Sequence, residues 1–301
     1  MLPIEHNANL TIGLSFGRSG QQDARWGVLG ASASVDSAGD KKVTRRDSDQ
    51  EWEKFGRDDP YFGVTADEKH RHNRLDDDSL RDFFKSGQDH IDFVLATIRT
   101  SVDSEFLPSR ALDFGCGVGR CSIPLTRVCQ SVVGVDVSDS MLQEARKNCS
   151  EHAVSNLRLV KSDDTLSQVS GPFDFVHSFV VFQHIPRKRG EEIFTRLVEL
   201  LSDNGVAAVE FLYGRNDPAA IRLMGFLRKK IMPVHMVANL LYGRPFTSPL
   251  MEKNVYDLNR LLTIIHEHGC GNLHLRCQEK GGMKKVHLFF QKSGKGLIRP
   301  K

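Results

Sequence analysis

The sequence predicts an α/β fold in which helices cover both faces of a doubly wound, mostly parallel sheet. From residue 111 onward, short apolar runs alternate with amphipathic segments, as strands alternate with crossover helices. A glycine-rich turn, LDFGCGVGR at residues 112–120, follows the first apolar run and precedes a segment able to open a helix. Glycine carries no Cβ, so a turn of this kind lets a ligand approach the backbone closely.

Composition bounds the class of protein. The 301 residues are 40% hydrophobic and 26% charged, which is ordinary for a globular chain. The 41 basic and 38 acidic side chains are too evenly balanced to indicate bulk binding of nucleic acid or membrane. No apolar run approaches the roughly 20 residues that cross a bilayer, and the N-terminus lacks the basic region of a secretion signal. The six cysteines form no CxxC pair and no zinc-ligand spacing, so we expect reduced thiols, no metal site and a cytoplasmic protein.

Composition shifts along the chain predict its organisation. The expected divisions are residues 1–48 as a disordered or mobile leader, 49–108 as an N-terminal helical cap, 109–292 as the ligand-binding α/β domain with a 214–253 lid insertion, and 293–301 as a tail. Within the cap, Asp78 to Thr100 shows helical spacing of apolar residues with an interruption near Gly87. For Trp52 and Tyr61, both core packing and an aromatic lid over a ligand stay open.

The α/β domain has its own sequence of elements. Strands are expected at RALDF (110–114), SVVGVDV (131–137), NLRLVKS (156–162), FDFVHSF (173–179) and GVAAVEFLY (205–213). Helices are expected over 119–129, 139–151, 188–201 and 255–268. The last two strands, NLHLRCQ and KKVHLFFQK, are expected to form a closing hairpin.

The connection 214–253 interrupts this alternation. It carries seven basic and two acidic side chains and four prolines, and connections of this length are usually functional insertions. Arg228, Lys229 and Lys230 are expected either to face solvent on a helix or to recognise an acidic substrate or acidic lipid head groups.

The glycine spacing narrows the ligand class. Gly115, Gly117 and Gly119 are followed by Arg120, where a dinucleotide fingerprint would have its third glycine. No Lys-Ser or Lys-Thr follows, as a nucleoside triphosphate loop requires. The spacing therefore disfavours dinucleotides and ATP. Two interpretations remain: a different nucleoside cofactor, or a tight strand–helix turn that binds no ligand.

Acidic residues at the predicted strand ends favour a nucleoside cofactor over a turn without a ligand. Asp136 stands 21 places after Gly115, near the separation of an acid that binds a ribose diol. Asp113, before the glycines, favours a cationic or ammonium-bearing ligand over a phosphate. Asp163 and Asp164 end the third predicted strand, where they are placed to accept from an exocyclic amine. A ligand with adenine, ribose, an ammonium group and a positive centre but no phosphate is S-adenosylmethionine.

Five segments also resemble one family in the expected order. LDFGCGVGR, VVGVDVSDSMLQEAR, KSDD, FDFVHSFVVFQHIP and GVAAVEFLY resemble the class I S-adenosylmethionine-dependent methyltransferases. The resemblance covers residues 78–213, with an extension to 292. It implies a Rossmann-like, seven-stranded sheet with an antiparallel last strand. The upstream WEKFGRDDPYFGV resembles a stretch seen ahead of this domain in some bacterial members, whereas Ser202-Asp203-Asn204-Gly205 replaces the usual Pro-Gly-Gly.

The resemblance further implies which residues hold the cofactor. They are Asp113, Gly115, Cys116 and Gly117 at the methionine end, Asp136 at the ribose, Val137 and Met141 beside the adenine, Asp163 or Asp164 at its amino group, and Phe179 beside the sulfonium.

The function expected from this resemblance is in-line methyl transfer to an oxygen or nitrogen nucleophile. His184 is the first candidate for a general base, with Glu210 and Tyr213 after it, although an interior histidine bonded to backbone is an equal alternative for His184. The expected acceptor is a small molecule, glycan or lipid-linked intermediate, with membrane-surface contact through the 214–253 insertion. A non-catalytic cofactor-binding or regulatory module and an RNA or protein methyltransferase remain alternatives, whereas the glycine spacing disfavours a nicotinamide oxidoreductase.

Overall fold

A computed structural model describes residues 10–14, 48–241 and 246–294. The strands are β1 Leu10–Leu14, β2 Arg110–Phe114, β3 Ser131–Asp136, β4 Leu157–Lys161, β5 Phe173–Ser178, β6 Leu201–Arg215, β7 Cys270–Lys280 and β8 Met283–Lys292. The helices are α1 Ser48–Asp58, α2 Pro60–Thr65, α3 Asp77–Ser101, α4 Ser122–Leu125, α5 Asp139–Glu151, α6 Arg187–Glu199, α7 Ala219–Lys230, α8 Met232–Leu241 and α9 Leu258–Glu267. Short 3-10 turns occupy Glu68–His70, His72–Arg74 and Phe182–His184.

All eight described strands form one sheet in the order β1-β7-β8-β6-β5-β2-β3-β4. The strands β4, β3, β2, β5 and β6 pair in parallel, and β8 lies antiparallel between β6 and β7. The predicted α/β sheet with an antiparallel last strand is therefore confirmed. Strand order reverses between β2 and β5, and ligands of open α/β sheets bind at such a switch point, beyond the carboxyl ends of the strands.

Strand β1 is an addition to the predicted seven strands. Its residues pair antiparallel with β7, from Leu10 opposite Cys277 to Leu14 opposite Leu273. This stretch lies inside the segment expected to be a disordered leader, and its LTIGL sequence has the apolar alternation of a strand. The rest of the expected leader up to residue 47, and the tail from residue 295, lie outside the described residues.

Helix α3 runs unbroken where an interruption was predicted near Gly87. The helix begins at a capping box, in which Asp76 accepts from the Ser79 amide and Ser79 accepts from the Asp76 amide. Gly87 lies against the exit of the glycine turn, because a Cβ on it would stand 2.0 Å from the carbonyl oxygen of Arg120. The glycine therefore allows close helix packing and does not break the helix.

An aromatic cluster attaches α1 and α2 to the α/β domain. Phe55, Tyr61, Phe62 and Phe83 are buried together with Met141 of α5. The Tyr61 hydroxyl lies 2.7 Å from a carboxylate oxygen of Glu144 on α5. Tyr61 is thus a packing residue, and the cap that it anchors covers the carboxyl ends of the strands.

All six cysteines lie within the described residues and carry free thiols. Among the helices in the described ranges, none combines the length and apolar character needed to cross a bilayer.

Candidate functional site

A cleft opens where β2, β3, β4 and β5 end, beneath α1 and α2. The space between its lining residues, together with the open solvent at its mouth, is about 800 Å³. Nine of the thirteen predicted site residues line it: Gly115, Gly117, Asp136, Val137, Met141, Asp163, Asp164, Phe179 and His184. The structure brings these nine together from four strand ends, the first turn of α5 and one 3-10 turn. Asp113, Cys116, Glu210 and Tyr213 do not line this cleft.

The glycine turn forms the floor of the cleft. Gly115 and Gly117 have φ angles of +73° and +53°, which side chains of L residues rarely adopt. The amides of Gly115 and Cys116 both donate to the carbonyl of Val135, at 2.8 and 2.9 Å, which ties the turn to β3. A Cβ on Gly115 would lie 2.3 Å from Val181 Cγ2. Bare backbone is therefore required here, and it leaves a concave surface for a ligand.

Asp136 ends β3 with its carboxylate held by backbone. Oδ2 accepts from the Gly117 amide at 2.8 Å and Oδ1 accepts from the Ser138 amide at 3.0 Å. Desolvation in the cleft wall raises the pKa of Asp136 to about 6. A carboxylate has about four acceptor sites, so this one retains capacity for hydroxyl donors of a ligand.

One wall of the cleft is apolar. Val137 directly follows β3, Met141 lies in the first turn of α5, and Gly63 and Val64 come from α2 above them. A Cβ on Gly63 would lie 3.0 Å from Met141 Cε, so the cap rests directly on this wall. An apolar slot flanked by a few oriented polar groups suits a heterocyclic base.

Both acids after β4 are engaged within the protein. Asp163 Oδ1 accepts from the amides of Thr165 and Ser167, each at 3.0 Å. Together with the hydroxyl of Ser167, the largest contributor, these bonds lower the pKa of Asp163 to about 2. Asp164 accepts from Arg189 Nε at 2.7 Å. Each carboxylate keeps further acceptor sites at the edge of the cleft.

Arg189 links the cap to the strand ends, and it was not predicted. Its Nη1 and Nη2 donate to Asp49 Oδ1 and Oδ2 at 2.6 and 2.8 Å, a bidentate pair, while Nε donates to Asp164. These hydrogen bonds raise the pKa of Arg189 above its usual value. Asp49 and Arg189 stand 140 positions apart, so no local pattern in the sequence reveals the contact.

His184 bonds to backbone, as one of its two predicted alternatives has it, and it also lines the cleft, so its role as a general base stays a prediction. Its Nδ1 donates to the carbonyl of Glu252 at 2.7 Å, and Nε2 accepts from Gln183 Nε2 at 3.0 Å. The Trp52 ring meets the imidazole edge-on at 4.9 Å, so Trp52 covers the ligand cleft as well as packing in the cap. Burial lowers the pKa of His184 to about 4, which keeps it neutral near pH 7 with the lone pair on Nε2.

Glu210 and Tyr213 lie elsewhere in the sheet. Glu210 is buried and pairs with Lys285 at 3.0 Å, with His287 Nε2 3.5 Å from its other oxygen. Tyr213 packs at the edge of the main apolar core. Strand β6 continues to Arg215, beyond the predicted end at residue 213, so Glu210 is not at the strand terminus. The structure therefore does not place either residue at the cleft.

Asp113 and Cys116 also differ from their predicted positions. Asp113 is 2% exposed, and its carboxylate accepts from His177 Nδ1 at 2.7 Å. His177 Nε2 shares a hydrogen bond with His90 Nε2 at 3.0 Å, and the His90 ring stacks on Phe179 at 3.6 Å. Asp113 thus supports the cleft from behind through a chain of histidines. Cys116 is buried behind the turn against β3, and burial raises the pKa of its thiol.

The same histidines form the group in the described chain whose geometry resembles a metal site. The ligand atoms of His90, Cys121 and His177 all lie within 4.8 Å of one another. They come from three separate elements, so spacing along the chain does not reveal them. The two Nε2 atoms already satisfy each other by a hydrogen bond, and Asp113 satisfies the remaining nitrogen of His177. The group is therefore explained as a buried hydrogen-bonded chain.

Comparison with known proteins agrees with this geometry. Residues 111–205 match a family model described as a methyltransferase domain. Over 150 residues the chain is 30% identical to the magnesium-protoporphyrin O-methyltransferase of a Synechocystis species, covering 42% of this chain and 65% of that protein. Over 89 residues it is 34% identical to a 23S rRNA (uracil(1939)-C(5))-methyltransferase of Marinomonas posidonica, covering 30% and 20%. The chain thus spans less than two thirds of the length of these curated relatives.

A solved structure shares the fold. The crystal structure of magnesium protoporphyrin IX methyltransferase from Synechocystis with bound S-adenosylhomocysteine aligns with a TM-score of 0.53 and 20% identity. The alignment covers 84% of this chain and 100% of that one. Residues 111–205 therefore match a methyltransferase domain, and the chain shares the fold of this solved methyltransferase.

Proposed function

We propose that the protein transfers a methyl group from S-adenosylmethionine to an oxygen or nitrogen of a small-molecule, sugar or lipid-linked acceptor. The observation that carries this proposal is the Asp136 carboxylate, held at the end of β3 by the Gly117 and Ser138 amides. It stands over a glycine turn whose spacing does not suit a pyrophosphate. Carboxylates held in this way accept from the two hydroxyls of a ribose.

The charge of the cleft supports a cationic cofactor. Its charged lining consists of four aspartates and one arginine: Asp49, Asp136, Asp163, Asp164 and Arg189. An excess of negative charge attracts a ligand that carries an ammonium and a sulfonium, and it repels phosphate. Binding of S-adenosylmethionine therefore fits the residues present better than binding of a nucleotide.

The predicted cofactor-binding residues that line the cleft have separate proposed roles. The backbone at Gly115 and Gly117 would hold the methionine end, and Asp136 the ribose. Val137 and Met141 would flank the adenine, as their place in the apolar wall supports. The edge carboxylates Asp163 and Asp164 would meet the amino group of the base, and Phe179, braced from behind by His90, would border the sulfonium.

When bound, the cofactor supplies an electrophilic methyl group, so the protein chiefly has to align donor and acceptor. Alignment of this kind can lower a barrier by about 7–11 kcal/mol. The Glu252 carbonyl holds the proton of His184 on Nδ1, which leaves Nε2 as the basic nitrogen. His184 would accept the proton of a hydroxyl acceptor there once the acceptor displaces Gln183 Nε2, which donates to Nε2 at 3.0 Å. The lowered pKa makes His184 a weak base, so its contribution belongs at the low end of the usual 10²–10⁴-fold range.

The acceptor class is proposed from the composition and from the position of His184. The chain is nearly neutral overall, which favours a small acceptor over RNA. The named relatives act on a porphyrin and on rRNA, and the porphyrin enzyme shares the longer alignment. His184 contacts Glu252, where the chain returns from the 214–253 insertion, so the acceptor would lie between Trp52 and that insertion. The free thiols support a cytoplasmic location.

Calorimetry with S-adenosylhomocysteine and release of that product from S-adenosylmethionine test the proposal together. We expect S-adenosylhomocysteine to bind. We expect turnover of S-adenosylmethionine on a panel of porphyrin, phenol, amine and sugar acceptors. Failure to bind S-adenosylhomocysteine would refute the proposal. Binding without turnover on any acceptor would favour a non-catalytic cofactor-binding module.

A further inference from the structure

The helical part of the insertion exposes an unusual amount of apolar surface. Of thirteen exposed large apolar side chains in the described chain, ten lie between residues 221 and 246. Scattered exposed apolar residues are normal, but contiguous patches usually mark a surface that meets a partner, a membrane or a ligand. The concentration of exposed apolar side chains on α7, α8 and the turn after them therefore indicates a binding surface.

Helix α8 has its polar face inside and its apolar face outside. Leu240 and Leu241 are 71% and 81% exposed, and Val237, one turn earlier, is also exposed. On the opposite face, His235 and Asn239 are 2% and 1% exposed. A helix on the surface of a protein in water normally has the reverse arrangement.

Hydrogen bonds hold α8 in this orientation. Asn239 Oδ1 accepts from Arg228 Nη2 of α7 at 3.0 Å, and His235 Nε2 donates to the carbonyl of Ser248 at 2.8 Å. Asn239 Nδ2 also donates to the carbonyl of Phe246 at 3.2 Å. Rotating the helix to hide its leucines would break these bonds and leave polar groups without partners. The outward position of the apolar face is therefore built into the insertion.

The charge of the insertion selects the occupant. Residues 218–251 contain five basic residues and no acidic one, in a chain that is otherwise nearly balanced, and four basic residues remain besides Arg228, which bonds to Asn239. Apolar helices flanked by basic residues bind the interface of bilayers with anionic head groups. A second copy of the same surface would bring like charges together, which disfavours self-association.

We propose that α7 and α8 dock on the surface of an anionic bilayer, with the apolar face of α8 inserted at the head-group boundary. The chain that returns from these helices is bonded to the cleft. The Leu250 amide donates to Glu51 at 2.6 Å, and the Asn254 amide donates to the carbonyl of Gln183 at 2.6 Å, beside His184. Docking would thus bring the acceptor end of the cleft close to the membrane. The acceptor would then be a lipophilic molecule that partitions into the bilayer, and this part of the inference rests on the proposed methyl transfer.

Vesicle sedimentation of the full chain tests the docking step. The probes are vesicles of phosphatidylcholine alone and of phosphatidylcholine mixed with phosphatidylglycerol. Leu240→Glu with Leu241→Glu changes the apolar face, and Leu107→Glu is the matched control because Leu107 is 82% exposed outside the insertion. We expect wild type and the control to bind mixed vesicles, and the double variant to bind at least about tenfold more weakly, since burying one leucine contributes roughly that factor. Lys229→Gln with Lys230→Gln should reduce both the binding and its salt dependence.

Three results would overturn the docking step. They are no vesicle binding by wild type, equal binding by the double variant, and a dimer without vesicles that the double variant abolishes, which would assign the face to a second copy. Calorimetry with S-adenosylhomocysteine on the same variants separates this from the proposed function. If the protein binds vesicles but not S-adenosylhomocysteine, the methyl-transfer proposal fails and the docking proposal stands. If the cofactor product binds but vesicles do not, docking fails alone.

Discussion

The carboxylate of Asp136 accepts a hydrogen bond from the backbone amide of Gly117 at 2.8 Å. This contact joins the glycine turn after β2 to the acid that ends β3, so two motifs 19 residues apart act as one unit. The amide fixes the carboxylate before any ligand arrives. Preorganisation of this kind reduces the ordering cost of binding.

Asp136→Asn should weaken binding of S-adenosylhomocysteine by about ten- to a hundredfold, because hydrogen bonds to a charged group contribute on the order of 1.5–3 kcal/mol. Isothermal titration calorimetry measures the effect. Asp139→Asn is the control, since Asp139 is exposed at the start of α5 and pairs with Lys161 outside the cleft. Equal affinities for wild type and Asp136→Asn would remove Asp136 from the site.

Cofactor binding should also depend on pH through Asp136. Its pKa of about 6 means that the acceptor is protonated below that pH, so affinity should fall as pH drops below about 6, by at most about tenfold per pH unit. Stability of the free protein has the opposite dependence. Because the pKa is raised from 3.8, Asp136 contributes stability that is present below about pH 4 and lost as pH rises through about 6. Titrations between about pH 5 and pH 8 should show the affinity change in wild type and a flat profile in Asp136→Asn, and a flat wild-type profile would contradict the assignment.

His184→Asn separates the two functions of that side chain. Asparagine keeps an N–H donor for the carbonyl of Glu252 but has no basic nitrogen at the position of Nε2. We expect turnover to fall by about a hundredfold with cofactor affinity unchanged, as for a weak general base. If His184→Asn turns over like wild type while His184→Ala loses stability, the histidine only positions the chain around Glu252.

Arg189→Ala should loosen the cap over the cleft. The substitution removes the bidentate pair with Asp49 and leaves the Asp49 and Asp164 carboxylates without their shared cation. We expect faster proteolysis within residues 48–65 and weaker binding of S-adenosylhomocysteine. Arg187→Ala is the control, because Arg187 is more exposed and pairs with Glu191 on its own helix. Equal proteolysis of the two variants would show that the Arg189 bridge does not hold the cap.

Asp113→Asn tests whether that residue contacts the ligand or supports the cleft. Because Asp113 is buried against His177, the free energy of unfolding should fall by about 1–3 kcal/mol when the charged acceptor is lost. Thermal unfolding measures this change. A large loss of cofactor affinity at unchanged stability would instead place Asp113 in direct contact with the ligand.

Much of the fold was predictable because the evidence for it is local. Helix α5 spans Asp139–Glu151 as predicted, since Ser138 caps it and accepts from the Met141 amide. The predicted helix over 119–129 is wrong in extent, because α4 covers only Ser122–Leu125 and the following residues form turns. Apolar periodicity therefore identified the elements better than their ends.

The site was predictable only where a motif carries its own geometry. The glycine turn, Asp136 and the residues after β4 and β5 follow from position at strand ends. The bridge from Arg189 to Asp49 and the histidine chain behind Phe179 depend on contacts between distant elements, which single-sequence patterns do not contain. Glu210 contacts Lys285 and His287 because β6 pairs antiparallel with β8, which places Glu210 opposite His287.

A crystal structure of the complex with S-adenosylhomocysteine would show whether Asp136 binds the ribose. We expect both ribose hydroxyls within hydrogen-bond distance of the Asp136 carboxylate, the adenine between Val137 and Met141, and the sulfur beside Phe179. Ligand bound elsewhere, or bound in this cleft with Asp136 turned away from the ribose, would contradict this expectation.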